Sequence, residues 1–230
     1  MTAIPAIQIP LDFGHRVALD REDFLVAPCN RDAVGWIDRW PGWPAPALVL
    51  YGLPASGKTH LAAVWKNGSE AAWIDASVLA NRDAHALAAL SRHLVIDHLD
   101  SWIGHRAAET ALFHLYNLMK ERGSSLLITM RAAPGQIKFT LPDLASRLRA
   151  APAVAIAPPD DTLLAAVLVK LFADRQLQIG ADLLAYILPR MERSFAAARD
   201  LVAQADRLAL AEKKAVSIPL IRRVLSADPV

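Results

Sequence analysis

Eight consecutive residues, Gly52-Leu53-Pro54-Ala55-Ser56-Gly57-Lys58-Thr59, fit the spacing G-x-x-x-x-G-K-[ST]. Each position has a physical purpose if the loop wraps an anionic phosphate. Gly52 and Gly57 let the backbone approach phosphate oxygens closely. The loop's N–H groups and the N-terminus of a following helix then point at the anion. Lys58 brings a compact positive charge to the β- and γ-phosphates, and the Thr59 hydroxyl suits Mg²⁺. The plainer alternative is a Gly-containing strand–helix turn with an incidental lysine. The strand-like run before the loop and the helical run after it argue against that. A second group completes the chemistry. Asp97 closes the run Leu94-Val95-Ile96-Asp97, where a carboxylate could hold the Mg²⁺ shell. Its competing reading is an aspartate that caps the next turn.

These residues need elements to position them. Ala47-Leu48-Val49-Leu50-Tyr51 is a continuous apolar run bounded by turn residues and predicts a buried parallel strand. A helix follows the loop through about Asn67. Further strands are expected over 71–75, 94–97, 125–129 and 153–156. Helices are expected around 31–40, in the mid-80s and over 106–122. Alternation of strands and helices predicts an α/β fold with a parallel sheet of five strands flanked by helices. After Pro158-Pro159 only helical periods remain, with Leu163, Leu164, Val167, Leu168 and Leu171 as the first apolar stripe. The other three helices are expected over 181–188, 194–213 and from about 217. The division expected is an extended arm over 1–20, an α/β base over 21–158 and an all-helical lid over 159–230.

Composition narrows the function classes. The formal net charge is +2, with 25 basic and 23 acidic residues, too even for a protein that coats nucleic acid. The single cysteine, Cys29, excludes a disulfide within the chain and fits a reducing compartment. The N-terminus lacks the pattern of a secretory signal, and no apolar run is long enough to span a bilayer. A cytoplasmic protein without a membrane partner is expected. The histidines show no metal-ligand spacing with cysteine, and the six tryptophans read as packing.

Three segments together resemble the DnaA/Hda branch of the AAA+ P-loop proteins. Phe24-Leu25-Val26, followed by Asn30, resembles the branch's N-terminal nucleotide-site box. Tyr51-Gly52 with Gly57-Lys58-Thr59-His60-Leu61 resembles its phosphate loop. Leu141-Pro142-Asp143-Leu144-Ala145-Ser146-Arg147-Leu148 resembles the segment that carries the arginine finger in the Hda type. The sequence ends after the helical region, where DnaA continues into a helix-turn-helix domain, and in this it is again similar to the Hda type. The resemblance implies an AAA+ base and a small helical lid. The cofactor it implies is ADP or ATP with Mg²⁺ on Thr59 and Asp97. The nucleotide would be bound by Gly52, Pro54, Ala55, Ser56, Gly57, Lys58, Thr59, His60, Phe24 and Val26.

The same resemblance implies a regulator of replication initiation with two protein partners. One is DnaA, whose bound ATP would be hydrolysed with Arg147 supplied in trans. The other is the sliding clamp, the β subunit of DNA polymerase III. Gln8-Ile9-Pro10-Leu11-Asp12-Phe13 fits the clamp-binding peptide Q-x-x-L-x-F, with Leu11 and Phe13 in an apolar cleft and Gln8 at its rim. Direct sequence-specific DNA binding is not expected; homodimer formation stays open.

The chain also departs from the family. The residue after the Mg²⁺ aspartate is usually acidic, and here it is His98. In an extended chain Asp100 points to the same side as His98, but a turn there breaks that relation. Arg131 stands where a small polar or acidic sensor is common, with Thr129 two residues before it. In the lid, Ala196 or Ala197 takes the place of the sensor arginine; Arg193 or Arg199, about one turn to either side, is expected to replace it unless both are solvated lid residues, and Arg193 is the one taken as nucleotide-binding. Weak intrinsic hydrolysis is therefore expected. The alternative function is an AAA+ ATPase that loads a helicase in the manner of DnaC, or remodels another target. A third reading, DNA binding through the base, is opposed by the small net charge. Arg147 has a plainer reading too, a surface arginine beside Arg149 making a local ion pair.

Overall fold

The computed structural model describes residues 25–226. Gln8, Leu11, Phe13, Phe24 and the arm expected over 1–20 lie outside these residues. The described chain separates into two compact units, 25–158 and 159–226.

The first unit is built on five parallel strands: β1 (Ala47–Tyr51), β2 (Ala72–Asp75), β3 (Leu94–Asp97), β4 (Leu126–Met130) and β5 (Ala153–Ala155). Their order across the sheet is β2-β3-β4-β1-β5, with every neighbouring pair parallel. Parallel neighbours need crossovers, and helices supply them. α1 (Arg31–Asp38) precedes β1, and the crossovers carry α2 (Lys58–Ser69), α3 (Ala84–Ala88), α4 (Arg106–Glu121) and α5 (Pro142–Ala150). Successive strand residues point to opposite faces, so each strand serves two cores. Val49, Ile96 and Ile128 join Leu112, Leu115 and Met119 of α4 on one face. Leu48, Leu50, Val95 and Leu127 join Leu61, Val64 and Trp65 of α2 with Val34 and Ile37 of α1 on the other. Burial on both faces explains why β1, β3 and β4 read as unbroken apolar runs. The tryptophans behave as packing: Trp43 stacks on Trp65 at 5.3 Å and Trp40 meets its edge at 5.9 Å.

One helix was not foreseen. α5 begins with Pro142 at its first position, where the missing N–H costs nothing, and buries Leu144, Ala145 and Leu148. Nine residues with three charges carry too short an apolar stripe to stand out in the sequence.

The second unit is all helical: α6 (Asp161–Ala173), α7 (Ala181–Ile187), α8 (Phe195–Glu212) and α9 (Ile218–Ser226). Leu164, Leu168, Phe172, Ile187, Val202, Ala205 and Ile221 form its core. Asp160 caps α6 by accepting from the Leu163 amide, and Ser194 caps α8 by accepting from Ala197; such caps contribute about 1 kcal/mol each. α7 stops just before Pro189, which cannot continue a helix. Among the described residues no helix is long and apolar enough to cross a membrane.

Candidate functional site

The phosphate-type loop leaves the carboxyl end of β1, between β4 and β5. Gly52 is required there by close approach: a Cβ would meet the Ile156 carbonyl oxygen at 2.2 Å. Gly57 sits at the N-cap of α2 with φ 100°, a conformation that favours glycine, and Ala55 is also left-handed at φ 57°. The loop therefore turns sharply into a helix N-terminus, and the positive end of α2 faces the concavity.

Lys58 is the first residue of α2 and is buried. Its ammonium folds over the loop, donating to the carbonyls of Gly52 at 2.8 Å and Leu53 at 2.7 Å, with the Ser56 hydroxyl at 3.5 Å. Burial pulls its pKa below the ordinary lysine range, opposed by the carboxylates of Asp100 and Asp97, while Arg131 adds to the lowering. Ser56 is buried, Pro54 is exposed, and His60 is partly buried on α2. Thr59 Oγ1 lies 3.3 and 3.4 Å from the two oxygens of Asp97. The pair that could hold Mg²⁺ is thus brought together across 38 residues. The left-handed loop, the lysine and the hydroxyl–carboxylate pair all fit a metal-bound nucleotide.

The carboxyl ends of β3 and β4 are laced together. Thr129 is fully buried; its hydroxyl donates to Asp97 and accepts the His98 N–H at 3.0 Å. Thr129 thus keeps a polar contact at this end of the sheet. His98 adopts the left-handed conformation at φ 56° and heads a 3-10 turn over Leu99–Trp102. That turn breaks the extended relation between His98 and Asp100. The His98 ring instead lies on Asp97, Nδ1 to Oδ2 3.2 Å. Asp100 accepts from the Arg131 backbone N–H and pairs with its guanidinium at 3.6 Å.

The N-terminal box is organised by Asn30, which is buried. Its side chain accepts from the Ala27 amide at 2.8 Å and donates to the Leu25 carbonyl at 2.9 Å. Leu25 and Val26 are left exposed, Val26 at 50%. In the lid, Arg193 precedes the Ser194 cap rather than lying in α8, so helical spacing does not apply to it; it pairs with Asp161 at 3.1 Å. Arg199 lies within α8 and is exposed.

Arg147 lies on α5 and makes no ion pair among the described residues. Its Nε donates to Asn117 Oδ1 at 2.8 Å, and its guanidinium lies 4.6 Å from the Phe113 ring centroid. Both partners are on α4. A third α4 residue, Glu109, is 2% exposed and accepts three amides: Gly104 at 2.8 Å, Thr140 at 3.1 Å and Leu141 at 2.6 Å. Sequence reasoning missed Glu109, Phe113 and Asn117. Their four-residue spacing along one helix was the signal available.

Comparison with known proteins places this geometry. Residues 161–225 match the family model described as "Hda, lid domain". An uncharacterized protein of Haemophilus influenzae is 26% identical over 195 residues, covering 79% of this chain and 82% of its own length. Domain III of the replication initiation protein DnaA of Thermotoga maritima superposes with a TM-score of 0.79 at 19% identity, covering 92% of this chain and 98% of its own. AMPPCP-bound DnaA of Aquifex aeolicus gives 0.67 at 16% identity, covering 79% and 63%. The two structures establish the AAA+ fold expected from the sequence, and the matched lid narrows the type.

Proposed function

Starting from a chain that is an Hda-type, DnaA-related AAA+ protein, we propose that it binds an adenine nucleotide and promotes hydrolysis of ATP held by DnaA. The observation that carries this reading is how the charges at the sheet's carboxyl end are used. Asp97 is shared by Thr59, Thr129 and His98, and Asp100 is engaged by Arg131. The residue after Asp97, where an acid would activate water, is a histidine. Such a site grips a nucleotide but hydrolyses it weakly.

In its own site the loop amides from 52 to 59 and the N-terminus of α2 enclose the phosphates, and Lys58 has the charge and reach for the β- and γ-oxygens. Thr59 and Asp97 would hold Mg²⁺, whose contribution when bound is to neutralise phosphate charge. His60, Val26 and Phe24 are the other base residues we assign to the nucleotide, and Arg193 is the lid arginine we assign to it. Arg147 acts elsewhere, on DnaA-bound ATP. A guanidinium is always charged and forked, so it can stabilise charge that develops on phosphate oxygens. The Gln8, Leu11 and Phe13 motif brings the protein to the sliding clamp, coupling the reaction to replicating DNA in the cytoplasm.

The test is hydrolysis of DnaA-bound ATP on clamp-loaded DNA. Wild-type protein accelerates it; the Arg147→Ala protein does not, and the triple alanine variant at Gln8, Leu11 and Phe13 loses clamp binding while keeping its fold. Acceleration that survives Arg147→Ala removes the trans role. One observation favours the DnaC-type alternative, the intact Thr59–Asp97 pair. Fast hydrolysis by the isolated protein would select it.

A further inference from the structure

Glu109, Phe113 and Asn117 occupy positions four residues apart on α4, so they line one face of that helix. All three hold the segment that bears Arg147. Glu109 binds the amides of Thr140 and Leu141, which fixes the start of α5. Phe113 lies under the guanidinium and Asn117 takes its Nε–H. Along this contact the two helices run in the same direction, with one anchor at the start of α5 and the other at the arginine head.

We propose that this stripe is a positioning cradle that sets Arg147 in its working conformation before DnaA arrives; the inference rests on the trans role given to Arg147 above. Three features of the geometry carry it. Only Nε is engaged, and among the described residues the two terminal nitrogens have no hydrogen-bond partner. Those nitrogens form the edge of the guanidinium that recognises phosphate oxygens in pairs. The ring of Phe113 holds the plane without consuming a donor. The base of the cradle is a buried carboxylate with three amide donors, so the start of α5 has little freedom to shift. An arginine tied to a carboxylate would have its charge neutralised; Asn117 and Phe113 orient the group and leave its charge whole.

The cradle is tested by hydrolysis of DnaA-bound ATP at varied concentrations of this protein. Phe113→Leu and Asn117→Ala should each lower the maximal rate by roughly tenfold to a hundredfold, the scale of a misplaced reacting group. The half-saturating concentration should stay unchanged, because DnaA docking does not use these contacts. Phe113→Tyr, which keeps the aromatic face, should restore the rate. ADP affinity and thermal unfolding of each variant should match wild type. A double variant, Phe113→Leu with Asn117→Ala, that keeps the full maximal rate while Arg147→Ala abolishes it would overturn the cradle alone. A rise in half-saturating concentration without loss of maximal rate would also overturn it, since it would place these residues in docking. Full activity of Arg147→Ala would instead overturn the trans role on which the cradle depends.

Discussion

The loop over 52–59 and the α4–α5 corner both present positive charge suited to phosphate, yet they are assembled by opposite means. The loop is local. Adjacent residues supply the turn, the amides, the lysine and the hydroxyl, and only Asp97 comes from a distant strand. The corner is assembled across sequence. Arg147 depends on Asn117, 30 residues away, and the start of its helix depends on Glu109. A local site survives drift in its surroundings because backbone N–H groups are present whatever the side chains are. A corner held by side chains can be detuned by a single change on another helix.

The largest effect that could break this contrast is on Arg147. Its change to alanine should reduce stimulated hydrolysis of DnaA-bound ATP by about 10³-fold or more, the scale of a supplied guanidinium. ADP binding by the protein itself should not change. If ADP affinity fell as well, the two regions would share one function and the comparison would fail.

Glu109→Ala comes next. Three amides would lose their acceptor at a site that is 2% exposed. Hydrogen bonds to a charged group are the strong ones, so urea unfolding should show a loss of about 3 kcal/mol. Stimulated hydrolysis should fall further than stability alone accounts for at temperatures where the variant is folded. A variant as stable as wild type would mean that the corner does not rely on this carboxylate.

What could be read from sequence follows the same division. The five strands, their parallel pairing and the four lid helices were legible because apolar periodicity repeats within each element. The left-handed loop into α2 was legible because its pattern lies in eight adjacent residues. The turn at His98 was only half legible: a left-handed histidine has no sequence signature, and its cause is the Thr129 hydroxyl that takes its amide from a neighbouring strand. α5 was missed because its stability comes from Glu109 and from burial of Leu144 and Leu148, not from its own pattern. Arg147 was singled out by likeness to a family segment as an expectation, whereas the residues that hold it were invisible until α4 and α5 were placed side by side.

Lys58→Ala should cost roughly a hundredfold in ADP affinity, so the stabilisation of about 2.7 kcal/mol expected at a hundredfold excess of ADP over the wild-type Kd should fall to about 0.4 kcal/mol. The α4–α5 corner should be untouched, which calorimetry and unfolding without nucleotide can check. The lowered pKa of Lys58 adds a pH signature. If its protonated form binds phosphate, ADP affinity should start to fall below pH 10.5, earlier than for an ordinary lysine. Unfolding stability should move the other way. Between the lowered folded value and 10.5 the unfolded chain binds more protons at this group, so its contribution to stability rises with pH. Proton uptake on ADP binding in alkaline buffer, measured by calorimetry in two buffers, distinguishes this lysine from an unburied one.

The smallest effect sharpens the contrast through a third arginine. Among the described residues Arg193 is held only by Asp161, in a pair whose side chains are 63% and 54% exposed. Exposed pairs of this kind contribute at most about 1 kcal/mol and weaken with salt, so Arg193→Ala should leave lid unfolding nearly unchanged. That makes the variant a clean probe of nucleotide contact. If Arg193 contributes one bond to the phosphates, ADP or ATP affinity should drop by roughly 1 kcal/mol, a few fold, without loss of stability. Identical affinity for both nucleotides would leave Arg193 as a lid ion pair and confine nucleotide recognition by charge to Lys58. Arg147 and Arg193 would then mark two uses of the same residue type. One is fixed by a ring and an amide and would keep its charge for a partner; the other would spend its charge on a neighbour and be free to be replaced.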